Sequence, residues 1–100
     1  MNDQNEFWGK SFRKKEEIVH RSIAGETILV PVKGKLADMQ RIFTLNPVAD
    51  FIWNQLNGGK TVSEIRDEVI EHFEVARENA EQDIREFIEE LIREDLLAEV

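Results

Sequence analysis

The residues able to do chemistry are few in kind. The chain carries 21 Asp or Glu, 13 Lys or Arg and 2 His, with no Cys and no Tyr. A zinc centre needs three or four ligands at workable spacing. Nothing in the sequence ties His20 to His72, and His72, close to Glu68 and Glu71, reads as a surface residue. No pair of carboxylates is set apart by apolar neighbours, so general acid–base catalysis has no candidate pair. Gly58-Gly59-Lys60-Thr61 has the ending of a phosphate-binding loop but lacks the earlier glycine and follows no predicted strand. Trp53 has a face on which a ligand could stack. It falls in one stripe with Ala49 and Leu56, however, and so belongs to a core. These residues point away from an enzyme, a metal centre or a cofactor site, and towards a binding role.

Charge narrows the partners. The formal net charge is -8 and is unevenly placed. Residues 1–63 hold 9 Lys or Arg against 7 Asp or Glu, a balance of +2; residues 64–100 hold 4 against 14, a balance of -10. A half this acidic repels phosphate backbones. The absence of cysteine suits a reducing compartment. No apolar run approaches the roughly 18 residues of a membrane span, and the N-terminus lacks an apolar signal segment. The expectation is one cytoplasmic domain.

The elements that must position any site follow from local patterns. Residues 1–16 are polar, end near the basic run Arg13-Lys14-Lys15, and read as a flexible tail ahead of a domain over 17–100. Phe7, Trp8 and Phe12 are unusual for such a tail. They are expected to pack on their own domain or else on a second copy, as in a swapped homodimer. Three strands are predicted over Glu17–Ser22, Thr27–Val32 and Met39–Leu45, with turns at Ala24-Gly25-Glu26 and Lys33-Gly34-Lys35. Pro31 cannot donate to a ladder and belongs near a strand end.

Asn46 then caps a helix that starts at Pro47 and ends near Leu56, before Asn57-Gly58-Gly59. Thr61 and Glu64 form a capping box for a second helix, whose stripe is Val62, Ile65, Val69 and Phe73. A third helix spans Glu78–Glu94 with no good cap at its start. Three strands followed by three helices is an α+β layout, and the two capped helices joined by a short glycine turn resemble a helix-turn-helix.

The third predicted helix carries the strongest binding signal. At about 100° per residue, with Ala80 at zero, Phe87, Leu91, Ile84, Ile88 and Ile92 cover an arc of about 140°, wider than the about 100° of a simple core stripe. Glu81 and Arg85 flank its Ile88–Ile92 edge, and Asp83 and Glu90 flank Phe87. A small sheet also has edges with free backbone groups. A groove between such an edge and such a helix suits an extended peptide that adds as a further strand.

The residues Leu45-Asn46-x-x-Ala49-x-x-Ile52-Trp53, Leu56-x-Gly58-x-x-Thr61-Val62-x-Glu64-Ile65, Phe73 and Leu91-x-x-x-x-Leu96-Leu97 resemble the PqqD family over about residues 17–100. That resemblance implies a winged-helix-like domain, also called a RiPP recognition element. Such a domain is a non-catalytic chaperone that binds the leader of a ribosomally made precursor peptide. It presents that leader to a modifying enzyme, often a radical SAM protein, with no cofactor of its own. Carried over by position, the groove would use Gln40, Arg41, Ile42 and Phe43 from the third predicted strand. Asp83, Arg85, Phe87 and Ile88 would come from the third predicted helix. The family's usual glycine before the final Leu-Leu is Asp95 here, which is expected to extend that helix.

A winged-helix DNA-binding regulator is the alternative that the layout invites. A reading helix brings Lys and Arg to phosphates, whereas the third predicted helix is dominated by Glu, with Arg85 and Arg93 in the minority.

Overall fold

The computed structural model describes residues 3–15, 18–31 and 43–100. In chain order the elements are α1 (Asp3–Gly9), β1 (Ser11–Lys14), β2 (Ile18–Ile23), β3 (Glu26–Pro31), β4 (Phe43–Leu45), α2 (Pro47–Gln55), β5 (Asn57–Thr61), α3 (Val62–Phe73), α4 (Arg77–Arg93) and β6 (Leu97–Glu99). The expected sequence of three strands and three helices is β2-β3-β4 followed by α2, α3 and α4. The domain is α+β. Residues 32–42, which include the second predicted turn and the start of the third predicted strand, lie outside the described residues.

Local chemistry sets the helix starts. Asn46 accepts a 2.8 Å hydrogen bond from the Ala49 N–H, and Pro47 occupies the first helical position. Glu64 N–H donates to Thr61 Oγ1, while the Glu64 carboxylate accepts from Thr61 N–H at 2.9 Å, closing the capping box. Ala76 leads into α4 with no side-chain cap. Pro31 ends β3.

Two three-stranded antiparallel sheets flank the helices, ordered β2-β3-β4 and β5-β1-β6. The first is a meander. Its β2–β3 turn is Ala24-Gly25, both at positive φ (53° and 81°), a pair that matches the twist of a two-residue hairpin. The second sheet departs from expectation. Residues 3–15 are not a tail: they form α1 and β1, and β1 is the central strand of that sheet. Phe7 and Phe12 are buried in the core, and Trp8 packs against it. Burial of aromatic surface is what holds this segment. The aromatic residues that suggested a swap are thus satisfied within one chain.

The Asn57-Gly58-Gly59 stretch stops α2 as expected but continues as β5, which pairs with β1 through an irregular register. No simple glycine turn joins α2 to α3. Asp95 does not extend α4. The helix ends at Arg93 and Asp95 takes φ 62°, the left-handed geometry that Gly favours and that Asp tolerates. The chain then turns into β6, which pairs with β1. The core runs between the sheets and helices and includes Leu29, Ile52, Trp53, Leu56, Ile65, Ile84, Ile88 and Leu91.

Candidate functional site

Strand β4 is the terminal strand of its sheet among the described residues, with β3 on one side. Its other margin borders an open cleft of about 300 Å³. Phe43, Thr44 and Leu45 form one wall, Val48, Ala49 and Ile52 of α2 the floor, and Asp83, Glu86, Phe87 and Glu90 of α4 the opposite wall. Alternation along β4 explains the strand wall: Phe43 and Leu45 point into the core while Thr44 is exposed. The Asn46 cap fixes where α2 leaves the strand, so one local motif sets both the strand end and the floor.

A second tie holds the sheet against α2. His20 Nε2 on β2 lies 2.8 Å from Asp50 Oδ1. The other histidine, His72, stacks on Phe51 with ring centroids 4.7 Å apart. The two histidines are therefore engaged separately. Lys60 binds Glu68 at 2.8 Å and Gln55 at 2.6 Å, bracing α2 against α3, which is structural work for the loop that resembles a phosphate binder. No group of three or more His, Cys, Asp or Glu among the described residues is placed to hold a metal. No helix among them is long and apolar enough to cross a membrane.

The structure divides the eight residues expected at the groove. Phe43, Asp83 and Phe87 meet in the cleft. Gln40, Arg41 and Ile42 lie outside the described residues. Ile88 is wholly buried in the core. Arg85 sits on the far flank of α4, its guanidinium carbon 4.5 Å from the Phe7 ring centroid and 5.6 Å from that of Trp8. The reason is rotation: at about 100° per residue Arg85 lies roughly 160° around the helix from Phe87.

The surplus apolar width of α4 lies away from this cleft, and its outermost residue, Ile92, is exposed. Its Ile92 edge shares a second cleft with Phe7, Phe12 and Leu97, against the N-terminal segment. Glu86 and the floor residues Val48, Ala49 and Ile52 were missed. Ala49 and Ile52 belong to the apolar face of α2, whose period marks burial without distinguishing a core from a cleft floor.

Fold and cleft together define a small α+β domain that presents a sheet margin beside an amphipathic helix. The profile of the family described as coenzyme PQQ synthesis protein D (PqqD) matches residues 26–97. The chain belongs to the PqqD family. A structure described as TbiB1 in complex with the TbiA(beta) leader peptide is similar, with a TM-score of 0.67 and 28% identity, over 85% of this chain and 93% of that one. Another, described as lasso peptide synthetase B1 complexed with the leader peptide, gives a TM-score of 0.71 at 22% identity, over 88% of this chain and 98% of that one, a likeness of fold. No functionally curated protein matches the chain at a significant level. The DNA-binding alternative finds no support, since the open flank of α4 offers carboxylates to any phosphate that approached it.

Proposed function

We propose that this domain is a non-catalytic peptide adaptor. It holds the leader of a ribosomally made precursor by strand addition between β4 and α4 and presents it to a modifying enzyme. The observation that carries the reading is the cleft itself: a strand margin, an apolar floor and a helix wall centred on Phe87, all from one chain. Family membership supports it, as does the likeness to TbiB1, a protein described with a leader peptide bound. The recipient enzyme is a maturation enzyme of the cytoplasm, with a radical SAM protein the class that the family suggests. A second copy is not required to complete the groove.

The energetics suit a transient carrier. Up to about four backbone hydrogen bonds contribute about 1 kcal/mol each, and two apolar anchors contribute about 2 kcal/mol each. The gross gain of about 8 kcal/mol corresponds to micromolar affinity at best, before ordering costs.

The test is an amide-resolved NMR titration of the full chain with synthetic peptides encoded by short reading frames beside its gene. One of them should shift the amides of residues 43–45 and 83–90, with a micromolar Kd. Amides of β4 that stay unmoved with every such peptide would overturn the proposal.

A further inference from the structure

The cleft's helical wall carries charge of one sign. With Phe87 as origin and about 100° per residue, Asp83, Glu90 and Glu86 lie roughly 40°, 60° and 100° to one side; the core residues Ala80, Leu91, Ile84 and Ile88 lie on the other. Asp83 and Glu86 are exposed and Glu90 is half-buried. No Lys or Arg among the described residues lines this cleft. Among the described residues, these three carboxylates make one hydrogen bond, accepted by Glu86 from Gln82 Nε2 at 3.2 Å. Two acids on the opposite flank of the same helix are matched: Glu81 takes Arg66 at 3.0 Å and Arg77 at 3.5 Å, and Glu89 faces Arg85 at 3.9 Å. Among the described residues, the helix thus pairs acids on the flank against its own fold and leaves acids without an ion-pair partner on the flank against the cleft.

Spacing turns this asymmetry into a pattern. At about 1.5 Å per residue, Asp83 and Glu90 stand roughly 10.5 Å apart along the helix. A guest strand places side chains on the helix-facing side every second residue, at about 6.8 Å. Three such positions span the wall. The middle one falls near Phe87, and long basic side chains at the outer two bend inward to the carboxylates.

We infer that the segment received by this groove is basic, an extended stretch with Lys or Arg two residues to either side of an apolar anchor. The anchor seats over Phe87 and the floor, and the cations meet Asp83 and the Glu86–Glu90 pair. This deepens the strand-addition reading of the same groove and rests on it.

The test selects binders from a displayed library of random peptides, of about the length that an edge strand can hold, against the full chain at low salt. The selected peptides should be enriched in Lys or Arg flanking an apolar residue, and should shift β4 amides when synthesised. The triple variant Asp83→Asn, Glu86→Gln, Glu90→Gln should bind such a peptide about tenfold more weakly. Raising salt should weaken the unaltered chain by a similar factor and leave the variant little changed. Peptides that shift β4 amides yet carry no basic excess, or that bind the triple variant equally well, would overturn the inference and leave strand addition standing. A library without enrichment, or selected peptides that leave β4 unmoved, would overturn the groove reading itself.

Discussion

The guanidinium carbon of Arg85 stands 4.5 Å from the ring centroid of Phe7. Phe7 meets Trp8 edge-on at 5.1 Å, and Arg66 lies 5.2 Å from the Trp8 centroid. Among the described residues Arg85 Nη2 is buried with no hydrogen-bond partner, and the ring faces of Phe7 and Trp8 stand beside its guanidinium. The contact fastens the N-terminal segment to α4 on the flank away from the cleft.

Phe7→Ala should therefore destabilise the domain by about 3 kcal/mol, read from urea unfolding. Peptide affinity should stay unchanged once the variant is folded. A neutral effect on unfolding would restore the tail reading for residues 1–16.

Phe87 and Ile88 are neighbours in sequence with opposite duties. Ile88 is fully buried, so Ile88→Ala should cost about 2–5 kcal/mol of stability. Phe87 is half-buried in the cleft wall. Phe87→Ala should leave thermal stability nearly intact while weakening a bound leader about tenfold. Paired thermal melts and peptide titrations separate the two.

Gly58 has φ +84°, and a Cβ there would stand 3.1 Å from Val100 Cγ2. Backbone strain and crowding act together, so Gly58→Ala should cost about 1–2 kcal/mol. In the β2–β3 turn, Ala24 holds a left-handed φ of 53° without a glycine's freedom. Ala24→Asn should gain about 0.5–1 kcal/mol. Denaturant midpoints check both signs.

Lys14 on β1 lies over the Trp53 ring, with Nζ 5.3 Å from the centroid. Burial holds its ammonium below the ordinary lysine value of 10.5. Between that lowered value and 10.5 the unfolded chain binds more protons than the folded one, so stability rises with pH through this window. The gain is complete above 10.5, and the full penalty applies below the folded value. Lys14→Met should flatten this alkaline rise in unfolding midpoint. Identical slopes in the two proteins would refute the assignment.

What could be read from the sequence was local. Asn46-Pro47 and Thr61-Glu64 announce helix starts because the partners lie within three residues. Strands β1, β5 and β6 could not be read this way. Lys14 pairs with Leu97 and Ser11 with Thr61, so neither partner is in view of the other. Asn57-Gly58-Gly59 has the composition of a turn and becomes a strand only because β1 is there to meet it. At the groove, Asp83 and Phe87, like Arg85, were carried over by position from the family resemblance, and the structure sets Asp83 and Phe87 on the cleft wall. Arg85 was misplaced because residues two apart on a helix face different ways.

Strand β1 has one further implication. Val100 N–H donates to the Ser11 carbonyl and Lys15 N–H to that of Leu96. Residues 96–100 are thus moored beside residues 11–15, across α4 from where a guest would lie. A reporter fused after residue 100 would emerge at the rear of the molecule, clear of the binding mouth, and could be attached by a short joint without obstructing it.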